Sequence, residues 1–195
     1  MPIPAAKPTP KGLPWVLAIG LLVIVIDQLT KWLAIVYLED QDPVEVFGEL
    51  LQLTFVRNPG AAFSIGTEYT WLFSIAATAV AIGILIFSRR VTSKLWLVAL
   101  GGLFGGAVGN LIDRVFQPPG GFQGHVVDFL ELPNWPVFNV ADMAVVGSAI
   151  FMVALSLFGV DPTAGSRPEG GSSDASDKEQ LTTPTTTDEL DSQSG

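Results

Sequence analysis

The 195-residue chain has no cysteine and a single histidine, His125. The first absence excludes disulfides, thiol catalysis and thiolate metal sites, and leaves the redox compartment open. The second leaves no Ser-His-Asp pattern. His125-x-x-Asp128 is at most half a metal site, and no further histidine or cysteine completes it. Charge is scarce as well: 15% of residues are charged and 49% are hydrophobic, with a mean hydropathy of +0.47. That is too apolar for a soluble domain of this size, so the membrane class leads. No basic stripe suggests nucleic acid. The net charge of −9 is concentrated in Asp161–Gly195, where eight acids and two bases supply −6 of it.

What the chain does have is four long apolar stretches. Residues 1–12 form a Pro-rich cationic lead expected to be disordered, and 161–195 an acidic cytoplasmic tail expected to be the same. Between them, 13–160 reads as one four-helix transmembrane domain with spans at about 14–38, 70–88, 95–113 and 137–160. Pro14–Leu38 covers roughly 37 Å at about 1.5 Å per residue, enough to cross with some tilt. It is longer than a secretory h-region and no small-x-small site follows, so an uncleaved helix is expected. Asp27 and Lys31 sit four apart in its middle, on one face and able to pair. They are either a neutralised structural pair or a pair bracing a polar site. In the third span, Gly101, Gly105 and Gly109 form one row and Gly102 and Gly106 another, the small-xxx-small pattern of close helix packing. Asn110 continues the second row, with Asp113 and Arg114 just beyond.

The loop Glu39–Tyr69 carries six acids and one base, Arg57. Val44–Phe47 and Leu51–Val56 are rich in β-branched and aromatic residues, and Leu51, Leu53 and Phe55 alternate with Gln52 and Thr54. This predicts a small hairpin with one apolar face lying against the membrane. It leads into the turn signal Asn58-Pro-Gly. The fold class expected is therefore an all-α membrane protein of four transmembrane helices, with a small extracytoplasmic β-hairpin or cradle and an outer loop carrying Asp128.

Lys7, Lys11, Arg89, Arg90 and Lys94 flank the spans on one side, which the positive-inside rule places in the cytoplasm with both termini. Asp113, Asp128 and Asp142 then fall at the outer interface. Asp113 ends a helix, where the dipole disfavours a bare carboxylate, so it needs Arg114 or another base and reads as structural. Asp142 is near a helix N-terminus, which favours its ionised form. The apolar neighbours of Asp128 favour a protonated carboxyl. Two carboxyls pushed apart in this way can share acid and base roles, so an aspartate pair activating water is the economical hydrolytic mechanism. A plainer reading of Asp142 is helix capping, with Asn139 as N-cap and Asp142 three residues on. Two rival functions are a small transporter or proton channel, with acids spread across the membrane depth, and an assembly factor whose acids only cap and pair.

Five blocks, in order, carry a resemblance: Asp27-Gln-Leu-Thr-Lys31, Asn58-Pro-Gly-Ala-Ala-Phe63, Gly105-Gly-Ala-Val-Gly-Asn-Leu-Ile-Asp-Arg114, Val126-Val-Asp-Phe129 and Phe138-Asn-Val-Ala-Asp142. Together they closely resemble the bacterial lipoprotein signal peptidases, also called signal peptidase II, over Pro14 to about Val160. The resemblance implies a four-helix inner-membrane aspartic endopeptidase that cuts prolipoproteins just before a diacylglyceryl-modified cysteine. It implies Asp128 and Asp142 as the catalytic pair and Asn58, Asn110, Arg114 and Asn139 as residues ordering the site and the substrate backbone. Asp27 and Lys31 are implied to support the site, and Asp113 to be structural. The loop before Phe63 is implied as an outer cradle over the substrate. No metal or other cofactor is implied, globomycin is the implied inhibitor, and a monomer is expected. Val115–Gln123 and the tail match none of the blocks.

Overall fold

The computed structural model describes residues 12–60 and 70–163. The expected lead up to residue 11, the loop stretch Ala61–Tyr69 and the tail from residue 164 lie outside the described residues. The elements follow in the order α1 (Gly12–Leu38), β1 (Val44–Glu45), β2 (Gln52–Asn58), α2 (Thr70–Ser88), α3 (Lys94–Phe116), β3 (Val126–Glu131) and α4 (Val140–Leu157). All four helices are long and apolar enough to cross a membrane.

Helix α3 is the centre, packed against α1, α2 and α4. Its two glycine rows serve different neighbours. A Cβ on Gly101 or Gly105 would run into Ile19, Gly20 and Val23 of α1; one on Gly102 or Gly106 would run into Ser148, Ala141 and Val145 of α4. The doubled small-residue pattern thus lets one helix approach two others at backbone distance. At the end of the bundle formed by the α2–α3 turn, Val16, Ile84, Val91, Leu97 and Leu100 make an apolar core. The same end is tied to the exit of α4: the Trp96 indole donates to the Val160 carbonyl at 2.8 Å, and the Thr92 and Ser93 amides donate to Pro162.

At the other end sits a three-stranded antiparallel sheet in the order β1-β2-β3. The expected hairpin is two of its strands. The third, β3, is the expected loop carrying Asp128, which pairs with β2 in the register Val56↔Asp128 and Asn58↔Val126. The apolar face of the sheet does not simply lie on the membrane. Leu53 and Phe55 pack with Val127 and Phe129 onto Ala34 and Leu38 at the end of α1.

Helix α1 takes in Gly12, which the expected lead included, and α4 ends at Leu157 rather than 160; two further boundaries differ from expectation for a physical reason. Helix α3 runs on to Phe116, because its last carbonyls are taken up by the insert that follows, Gln117–Gly124 with Pro118-Pro119-Gly120-Gly121 inside it: Gly121 donates to Val115, Gly124 to Arg114 and Gln117 to Asp113. Gly120, Gly121 and Phe122 adopt positive φ in that turn, and Ser74 of α2 donates to the Phe122 carbonyl at 2.6 Å. Helix α4 starts at Val140, not Val137, because the Phe138 amide bonds to the Leu130 carbonyl at 2.9 Å and extends the sheet instead.

Candidate active site

Strand alternation sets the first carboxylate. Val127 and Phe129 point at α1, so Asp128 and Val126 point the other way, into a cavity of about 370 Å³. The second comes from helix capping. Asn139 is the N-cap of α4; its side-chain oxygen accepts the Asp142 amide at 2.9 Å, and Asp142 Oδ2 accepts the Asn139 amide at 3.2 Å. The capping reading of Asp142 is therefore correct, and it coexists with exposure to the cavity, which Asp142 lines together with Asp128, Asn58, Asn110 and Arg114.

Asn139 joins the two. Its Nδ2 donates to Asp128 Oδ1 at 2.6 Å and lies 3.1 Å from Asn110 Oδ1. Asn58, diagonally across the β2–β3 ladder, donates to Asp128 Oδ2 at 2.8 Å. Asn110 donates to Asp142 Oδ1 at 2.7 Å. Asp128 is 1% exposed. Burial pushes its carboxyl up to about 7, aided by the nearby Asp142 and opposed by the Asn58 and Asn139 amides.

The remaining predicted residues gather behind this layer. Lys31 Nζ is 2.9 Å from Asp27 Oδ2, 2.9 Å from Asp113 Oδ2 and 2.9 Å from Asn110 Oδ1. The base that Asp113 requires is thus Lys31. Arg114, adjacent in sequence, turns to the carbonyls of Asn58 and Gly124, at 3.2 and 2.9 Å. Every buried side-chain nitrogen and oxygen among the described residues has a partner, as buried polar networks require. One member escaped the sequence reading. Gln28 Nε2 contacts Asp27 Oδ2, Asp113 Oδ1 and the Gly109 carbonyl at 3.1–3.2 Å. Its place beside Asp27 on the same turn as Lys31 was the available cue. Among the described residues no three His, Cys, Asp or Glu side chains cluster in a metal-binding arrangement.

The cavity opens between α2 and α4 over α3. Phe73, Ala76, Ala77 and Val80 form one wall, Leu103, Ala107 and Leu111 the floor, and Val145 the other wall. A polar head with the two aspartates thus tops an apolar trough. The buried acids Asp27, Asp113 and Asp128 lie at the sheet end, while the core at the opposite end is apolar. A proton or ion path across the whole depth needs ionisable groups spread over both ends.

A profile described as Signal peptidase (SPase) II matches residues 19–158. Lipoprotein signal peptidases with high similarity include that of Mycobacterium tuberculosis, 47% identical over 169 residues, covering 86% of this chain and 84% of the relative. That of Mycobacterium avium is 48% identical over 165 residues, covering 84% and 91%. That of Rhodococcus jostii is 48% identical over 141 residues, covering 72% and 71%. Two solved structures described as bacterial membrane enzymes share the fold. One has a TM-score of 0.66 at 28% identity, covering 80% of this chain and 93% of its own. The other has a TM-score of 0.64 at 30% identity, covering 73% and 92%.

Proposed function

The chain belongs to the signal peptidase II family of aspartic signal-cleaving hydrolases, and from that premise we propose that Asp128 and Asp142 are its catalytic pair, cutting diacylglyceryl-modified prolipoproteins on the N-terminal side of the lipidated cysteine. The observation that carries this reading is the single amide of Asn139, which binds one carboxyl and caps the helix of the other beside a shared cavity.

Asp128, which burial keeps protonated up to a pH of about 7, donates its proton to the scissile carbonyl oxygen. Asp142, whose two oxygens accept N–H donors from Asn110 and Asn139, takes a proton from water as that water attacks the carbonyl carbon. The tetrahedral diol collapses as the C–N bond breaks. Asp142 returns its proton to the leaving amine, and Asp128 recovers one from the diol hydroxyl. Asn58 and Asn139 each hold one oxygen of the Asp128 carboxyl, and Arg114 ties the Asn58 carbonyl to that of Gly124.

With the apolar trough in the bilayer and the pair near its surface, the site would suit a substrate held by lipid. The basic flank of the α2–α3 turn argues for cytoplasmic termini and an active site at the outer face. The test is purified protein in detergent with a synthetic diacylglyceryl-modified precursor peptide. Globomycin-sensitive cleavage is expected, with no turnover in Asp128→Asn or Asp142→Asn. Appreciable turnover in either variant removes that residue from the mechanism.

A further inference from the structure

Each member of the pair is preceded by a residue whose backbone amide is held from another helix. The Ala141 amide donates to Asp27 Oδ1 at 2.8 Å, and the Val127 amide donates to Asp113 Oδ2 at 3.0 Å. The two accepting carboxylates belong to α1 and α3, and Lys31 lies between them. An ammonium has three N–H donors. Here they have three acceptors at 2.9 Å: Asp27, Asp113 and Asn110. The first fixes the residue before Asp142 and the second the residue before Asp128. The third donates directly to Asp142 Oδ1.

We propose that Lys31 is the positioning residue for both catalytic aspartates, a three-way hub that sets β3 against the start of α4. It touches neither carboxyl of the pair. It acts through two backbone amides and one side-chain amide, all within a fully bonded buried network. Gln28 is an auxiliary tie, since its Nε2 also spans Asp27 and Asp113. The position of the cavity's two acids relative to one another therefore depends on a group 2% exposed and outside the cavity lining. This arrangement explains why a lysine stands inside an apolar helix where two acids must be neutralised and also aligned. The inference rests on Asp128 and Asp142 being the reacting pair.

The test uses the full chain in detergent with the lipidated precursor peptide. In Lys31→Met, kcat is expected to fall about 100-fold, the size of effect that a 1 Å misplacement produces, with KM within about threefold. Because loss of the cation that bridges two buried carboxylates endangers folding, Asp113→Ala and Asp113→Asn carry the test independently. Each leaves Lys31 paired one-to-one with Asp27. Asp113→Ala removes the acceptor of the Val127 amide and is expected to lose about 100-fold in kcat; Asp113→Asn keeps an oxygen there and is expected to lose less than tenfold. Equal losses in the two variants, a loss confined to KM, or unfolding of Asp113→Ala would each overturn the hub. Absence of cleavage by the wild-type protein overturns the catalytic assignment itself. Wild-type cleavage abolished by Asp128→Asn, with Asp113→Ala at full kcat, overturns the hub alone.

Discussion

The side-chain amide of Asn139 donates to Oδ1 of Asp128 at 2.6 Å while its oxygen accepts the first-turn amide of α4. One residue therefore does two separable jobs. Capping contributes about 1 kcal/mol when Asn is compared with Ala, and Ser caps nearly as well. Asn139→Ser is expected to keep that capping contribution and Asn139→Ala to lose it, a difference of about 1 kcal/mol in detergent unfolding. Alanine has no donor, and the serine hydroxyl is one bond shorter than the Asn139 amide nitrogen and falls short of Asp128, so both are expected to lose cleavage to the same extent. Activity that follows stability across the two variants would show that the Asn139–Asp128 bond carries no catalytic weight.

The carboxyl of Asp128 titrates near 7 because it is buried, with Asp142 adding to the effect. If it serves as the acid, kcat/KM declines as pH rises through about 7, since the proton it must donate is then gone. The Asn58 amide acts in the opposite direction, stabilising the charged form. Asn58→Ala is therefore expected to move this limb to higher pH while lowering the maximum. Stability follows the same sign. Between the ordinary 3.8 and about 7 the folded chain holds a proton that the unfolded chain releases. This group's stabilising contribution is complete below about 4 and is lost as pH rises to about 7. Unfolding midpoints at pH 5 and pH 8 should differ more in wild type than in Asp128→Asn.

The glycines separate packing from chemistry. A Cβ at Gly105 would lie 2.6 Å from Val23 Cβ and 2.7 Å from the Gly20 carbonyl, whereas at Gly83 and Gly147 nothing stands within 4 Å. Gly105→Ala is expected to destabilise by about 1–3 kcal/mol, the usual range for overpacking. Gly147→Ala, in the middle of α4, is expected to be neutral or to stabilise by up to about 1 kcal/mol, because the glycine's backbone freedom serves no contact there. Thermal unfolding of the two variants side by side checks both signs.

Much of this was readable in the residues, and the exceptions share a cause. Hydropathy gave four spans because the bilayer fixes their length. The Asp27–Lys31 pair followed from helical spacing. The strand at Val126–Glu131 is not legible as one, because its partner β2 lies some seventy residues earlier and no local turn links them. The glycine rows announced close packing but not that each row meets a different helix. Sequence adjacency offers Arg114 as one candidate base for Asp113, while its partner Lys31 comes from another helix. Local periodicity determines which face a residue occupies. It does not say which distant backbone amide that face will meet, and the alignment of Asp128 with Asp142 depends on such amides.

The trough wall on α2 gives a prediction with a different kinetic signature from the hub. Helix α2 carries Phe73, Ala76, Ala77 and Val80 into the cavity but neither aspartate. Its first turns are held to the segment after α3 by the Ser74 hydroxyl, 1% exposed, on the Phe122 carbonyl. Removing the hydroxyl leaves that carbonyl without this donor and costs about 1 kcal/mol. It also loosens a cavity wall that carries neither aspartate. Ser74→Ala is therefore expected to raise KM for the lipidated peptide several-fold while kcat stays within about twofold, the pattern of lost uniform binding. Ser74→Thr, which keeps the hydroxyl, is expected to restore most of the KM. A fall in kcat at unchanged KM would mean instead that the insert reaches the aspartates through Gly124 and Arg114, whose bond at 2.9 Å is the next link along that path.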